Sequence, residues 1–176
     1  MRYTRIRDLR EDMDLSQKEI AKVTNKCRLR GTLKDVMVGA DVFVGVSGPN
    51  CVSKEMVASM APKSIVFPLA NPIPEIGALD AKEAGAYIVG TGSSEFPNQI
   101  NNVLVFPGLF RGAIDAKATE INDEMMFAAS EGIARCVSPE ELSIDYILPY
   151  AYDEKAHQCV ANAVKEAAIR LGVVRK

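Results

Sequence analysis

Gly90-Thr-Gly-Ser-Ser-Glu-Phe-Pro-Asn-Gln-Ile-Asn-Asn-Val-Leu-Val-Phe-Pro-Gly108 follows the apolar run Ala86-Tyr-Ile-Val89. The glycines open a turn directly out of that run, and a cluster of amides stands where the next helix is due to begin. Strand, glycine turn and helix start make up the repeating joint of an α/β protein. In an open parallel sheet such joints bind ligands, because strand ends and helix N-termini present N–H groups there. The chemistry is sought at this loop and its counterparts upstream.

Working outward, Val42-Phe-Val-Gly-Val46 reads as a first strand, closed by Ser47-Gly-Pro-Asn50. Ser53 then caps a short helix carrying Met56, Val57 and Met60. Ile65-Val-Phe-Pro-Leu-Ala70 reads as the second strand. It ends at Asn71-Pro-Ile-Pro74, whose prolines forbid both helix and further sheet pairing. Asp80 with Glu83 forms a capping-box pattern for another short helix, and Gly85 releases the chain into the third strand, Ala86-Tyr-Ile-Val89. Three βα units thus span residues 35 to 117.

Beyond them the pattern is purely helical. Ile121, Met125, Ala128, Ala129, Ile133 and Cys136 recur at helical spacing, as do Ala156, Val160, Ala163, Val164, Ala167 and Leu171, with Gly172 as a stop. The expected fold is α/β: a partial Rossmann-like parallel sheet flanked by helices and ending in C-terminal helices. Repeats, low-complexity tracts and Gly/Ser linkers are absent from the sequence.

Composition narrows the function. The 176 residues carry a net charge of -2, with 48% hydrophobic and 25% charged residues, which suits one ordinary globular core. No basic excess marks a nucleic-acid or anionic-lipid footprint. No apolar segment approaches the roughly 18 residues needed to cross a bilayer, and the N-terminus has no signal-peptide core, so the expected location is cytoplasmic. Cys27, Cys51, Cys136 and Cys159 are widely spaced and have only His157 as an imidazole partner, which reads as four ordinary thiols and a partly exposed structural histidine.

In a parallel sheet the loops after the three strands leave from one edge. These loops carry Asn50, Asn71, Asn98, Gln99, Asn101 and Asn102. A carboxamide both donates and accepts, so it suits a carboxylate, a ribose hydroxyl or a nicotinamide amide without adding charge. Asn50 is accounted for by turn formation alone. Asn71 sits at a strand end, and Asn101 and Asn102 are poor helix formers among apolar neighbours, so these face a ligand. The G-x-G-x-x-G of a complete dinucleotide fold is missing, since Gly90-Thr-Gly92 continues as Ser-Ser-Glu. There is also no strand-end cluster of acids for a divalent metal and no Lys/Tyr pair in a loop of this edge, so neither a metal ligand nor a catalytic residue is assigned.

Phe67-Pro-Leu-Ala-Asn-Pro-Ile-Pro-Glu75 and the run from Gly90 through Arg111-Gly112 closely resemble the NAD(P)-binding domain of bacterial malic enzymes. Gly31-Thr-Leu-Lys-Asp-Val-Met-Val-Gly-Ala-Asp-Val-Phe-Val-Gly-Val-Ser47 and Asp145-Tyr-Ile-Leu-Pro149 extend the likeness across residues 25 to 176. The resemblance implies oxidative decarboxylation of malate to pyruvate and CO2, with NAD or NADP taking the hydride and Mg or Mn polarising the substrate carbonyl. By position, Asn71 resembles the asparagine between nicotinamide and malate, and Asn101 with Asn102 the pair that holds malate. Ser47, Gly90 and Gly92 fall on the cofactor wall. Ser93 stands where many relatives carry Arg, and Glu95 where an Asp is common.

The resemblance further implies that the family's catalytic tyrosine and lysine, its metal carboxylates and its glycine-rich pyrophosphate loop precede the matched part. The chain is therefore expected to be inactive by itself, with a non-catalytic nucleotide-binding or partner-completing module as the alternative. The residue that reads the ribose 2′ position normally follows the second strand of the full fold, so NAD and NADP are not separated. Residues 1 to 25 read as a helical N-terminal segment before the domain at 26 to 176, and within it Arg10-Glu-Asp-Met13 and Lys18-Glu-Ile-Ala-Lys-Val-Thr-Asn25 also resemble the malic-enzyme segment that enters the Gly31 region. Tyr3 to Ala21 resembles the opening of a Cro/C1-type helix-turn-helix, but no recognition helix follows Thr24, so DNA is not an expected partner. Malate or pyruvate is, and the apolar stripes of the C-terminal helices point to self-association or a homo-oligomer.

Overall fold

A computed structural model of the chain describes residues 29–175. The N-terminal segment, its boundary at residue 25 and Cys27 lie outside the described residues. The chain divides into two compact units, one up to Val89 and one from Gly90.

The first unit is the sheet. Helix α1 (Leu33–Met37) is entered through Thr32, whose backbone N–H and hydroxyl both donate to Asp35 Oδ2, at 2.6 and 2.8 Å. Strand β1 (Val42–Gly45) pairs in parallel with β2 (Ile65–Pro68), from Val42 opposite Ile65 to Gly45 opposite Pro68. β2 pairs in parallel with β3 (Ile88–Val89), giving the order β1-β2-β3. Helices α2 (Lys54–Ala58) and α3 (Ala78–Glu83) are the crossovers. Met37, Val52, Met56, Val57, Val66, Ala81 and Val89 are buried, whereas Val42 and Val44 alternate onto an exposed face of β1.

The three expected strands are present but shorter. β2 ends at Pro68 rather than Ala70, although Leu69 N–H still donates to Gly45 O at 2.9 Å. Ser53 caps α2 as expected, accepting from Met56 N–H at 3.3 Å. The capping box at Asp80 and Glu83 does not form. α3 begins earlier, behind Gly77, because Ala78 is drawn into the core, and both carboxylates instead bind Lys54 Nζ of α2, at 2.8 and 2.6 Å.

The second unit is helical. A 3₁₀ turn (Asn102–Leu104) leads into α4 (Phe106–Asp115), followed by α5 (Asp123–Cys136) and α6 (Glu154–Leu171), which Gly172 ends at φ 72°. The two predicted stripes face each other: Met125, Ala129 and Ile133 of α5 and Val160, Val164 and Ala167 of α6 share one core with Leu109 and Ala113 of α4. α4 lies so close to α6 that a methyl at Gly108 would stand 2.6 Å from both His157 O and Val160 Cβ. No helix among the described residues is long and apolar enough to cross a membrane.

Candidate functional site at the strand-end loops

In the first unit, the loops leaving β1 and β2 are joined by one side chain. Glu75 is 0% exposed, and its Oε1 accepts from Ser47 N–H at 2.6 Å and Ser47 O–H at 3.0 Å. Its Oε2 accepts from Ala70 N–H at 3.0 Å. Burial by itself would push this carboxyl's pKa up, but the bonds from Ser47, Ala70 and the residue's own backbone outweigh it and hold Glu75 below the ordinary glutamate value. Gly45 makes room for the clasp, since a Cβ there would overlap the Glu75 carboxylate. Two backbone bonds complete it: Asn50 N–H to Pro74 O and Val52 N–H to Glu75 O, both 3.0 Å.

The clasp leaves Ser47 and Asn71 exposed at the carboxyl ends of β1 and β2. Asn71 precedes a cis bond to Pro72, and its side chain makes no hydrogen bond among the described residues. Asn50, at φ 52°, serves its turn, as its surroundings in the sequence suggested. Cys51 Sγ lies 3.5 Å from Ser47 Oγ.

In the second unit, buried Gly90 and Thr91 and exposed Gly92 begin a loop that closes on itself. Ile100 N–H donates to Thr91 O at 2.7 Å, and Gln99 Nε2 reaches Gly92 O at 3.4 Å. Ser93 and Glu95 are exposed and held by local turns, with Ser93 N–H on Thr91 Oγ1 and Glu95 N–H on Ser93 Oγ, both 3.2 Å. Asn98, counted in the sequence only as one of the loop amides, turns inward. At φ 57° and 5% exposed, it donates to Ile144 O and accepts from Ile147 N–H, both at 2.9 Å, pinning the 144–147 loop. Tyr146 and Tyr150 of the adjoining segment border a cleft of about 300 Å³ with Phe96 and Gln99. A larger groove, lined by Phe110, Ile114 and Arg175, holds none of the predicted site residues.

Asn101 is half-buried and caps the 3₁₀ turn, its Oδ1 accepting from Val103 N–H at 3.0 Å. Asn102 is exposed, without a side-chain hydrogen bond among the described residues. His157 Nε2 lies 3.2 Å from Val103 O, so the ring donates there and props the turn that carries Asn102, the structural role its sequence context suggested. The described residues thus divide the amides sharply: Asn71 and Asn102 offer free carboxamides, whereas Asn98 is committed internally. Sequence reasoning missed Glu75 and Asn98 as braces. The available signal was a lone charge between Pro74 and the apolar Ile76.

A parallel sheet with polar loops at its strand ends, followed by an amide-rich loop opening a helical unit, defines a nucleotide-binding α/β module. The chain belongs to the malic enzyme NAD-binding domain family, whose pattern it matches over residues 2–169. It is 57% identical over 157 residues to the bifunctional malic/malolactic enzyme of Bacillus subtilis, covering 89% of this chain and 38% of that one. It is 51% identical over 158 residues to the NAD-dependent malic enzyme of Geobacillus stearothermophilus, covering 90% and 33%. The crystal structure of the Pyrococcus horikoshii malic enzyme superposes with a TM-score of 0.80 at 43% identity, over 86% of this chain and 35% of that one. The chain therefore spans between a third and two-fifths of these relatives.

Proposed function

We propose that this chain supplies the cofactor wall and part of the substrate wall for oxidative decarboxylation of malate to pyruvate and CO2, with NAD or NADP accepting the hydride. The family match over residues 2–169, which includes every one of these strand-end loops, supports the reading. Relatives named as NAD-dependent and as NADP-dependent both occur, and both cofactors stay in the proposal.

Ser47, Asn71, Gly90 and Gly92 are assigned to the cofactor, and Asn71, Asn101 and Asn102 to malate. The residues present fit such ligands. Asn71 and Asn102 expose carboxamides with no hydrogen-bond partner among the described residues, able to donate to a substrate carboxylate and accept from a hydroxyl. The nearby Glu75 carboxylate is buried and taken up by donors of the chain, so it does not compete with Asn71 for a ligand. When bound, the nicotinamide ring supplies the hydride acceptor. This chain's side chains bind and orient. Among the described residues no three His, Cys, Asp or Glu side chains come together to hold a metal, and no step is derived through Mg or Mn.

A protein of these residues alone lacks an assigned base and metal site, which each lower such barriers by several kcal/mol. Malate-dependent reduction of NAD or NADP with Mn, followed by absorbance, is expected to show no turnover by the pure chain. Sustained turnover would show that the base lies among these residues and overturn the assignment.

A further inference from the structure

The Glu75 clasp determines what Ser47 presents to a ligand. Ser47 has one hydroxyl proton, and Glu75 Oε1, 3.0 Å away, belongs to an ionised carboxylate that only accepts. The proton therefore points at Glu75. In the 3.5 Å contact between Ser47 Oγ and Cys51 Sγ, the thiol is then the donor. What remains on the exposed side of Ser47 is lone-pair density, with no proton to offer.

We infer that Glu75 is a positioning residue that makes Ser47 an acceptor toward bound ligand, so that the group opposite Ser47 is a hydrogen-bond donor, a ribose hydroxyl or a primary carboxamide, and not a phosphate. This deepens the nucleotide-binding reading and rests on it. Phosphate oxygens at neutral pH need donors, and an acceptor-only hydroxyl above a buried carboxylate repels them. The same geometry explains why the first loop lacks a phosphate cradle: the Ser47 backbone N–H, which such a cradle would aim outward, is spent on Glu75 at 2.6 Å.

The test has two arms, both on the full chain by amide NMR. Without ligand, the Ser47 and Ala70 amides should follow a single carboxyl that titrates below the ordinary glutamate range, and Ser47→Ala should raise that midpoint. An unmoved midpoint would overturn the claim that the hydroxyl donates to Glu75. With ligand, nicotinamide riboside should shift the Ser47 amide and inorganic pyrophosphate should not. Ser47→Ala and Glu75→Gln should each weaken riboside binding about tenfold, and the double variant no further, because both remove one oriented acceptor. A shift caused by pyrophosphate, or losses that multiply in the double variant, would overturn the proposal. If neither probe moves Ser47, the nucleotide reading of this site and the donor preference fall together, while the ligand-free titration still decides whether Glu75 orients the hydroxyl. That arm needs only Ser47→Ala, so it stands even if Glu75→Gln fails to fold.

Discussion

Glu75 occupies a place that ordinarily excludes a charge, and it is retained there by three outside donors and a glycine that yields space. Because its folded pKa is depressed, its contribution to stability is complete above the unfolded value and is lost as pH falls through the folded value. Glu75→Gln removes the charge and turns an amide N–H toward a backbone donor. It should cost on the order of 3 kcal/mol near neutrality and flatten the acid limb of the stability profile, read by urea unfolding from pH 7 to 3. Asn98 is the counterpart in the second unit. Asn98→Ala leaves Ile144 O and Ile147 N–H without partners and places a less tolerant residue at φ 57°, which should cost about 2–3 kcal/mol in the same experiment. Neither role was readable from residue type. An asparagine in a polar loop looks the same whether its amide faces solvent or pins a second loop 46 residues away.

At the scale of elements, local chemistry predicted what local chemistry controls. Ser53 caps α2, Gly172 ends α6, and the stripes of α5 and α6 appear because each helix buries one face. The capping box at Asp80 failed because burial of Ala78 set the start of α3, leaving both acids to Lys54. Gly108, the last residue of the stretch that begins at Gly90, sits inside α4, where it permits the approach to α6. A methyl there gains about 1 kcal/mol of helix propensity but meets His157 O and Val160 Cβ at 2.6 Å. Overpacking against backbone outweighs that gain, so Gly108→Ala should destabilise the chain by about 1–2 kcal/mol net and lower the thermal midpoint by several degrees in calorimetry.

For the whole molecule, the expectation of self-association moves to another surface. The stripes of α5 and α6 are covered within the second unit, whereas Phe106, Phe110 and Ile114 line α4 at 45, 52 and 72% exposure, the two rings stacked 5.9 Å apart. An apolar row of this kind favours association. Light scattering of the pure chain should therefore show species above the monomer mass, and Phe110→Glu, which removes the exposed ring stacked on Phe106, should shift them toward monomer. Unchanged masses would locate the contact elsewhere. By itself, the sequence determined the α/β class, the order of strands and helices, the family and the loops that carry the amides, because periodicity, prolines, glycines and caps act over a few residues. Only the tertiary structure decided which polar groups are free. Glu75 and Asn98 find their partners across long loops, so whether each side chain braces the fold or meets a ligand depends on what folding brings beside it.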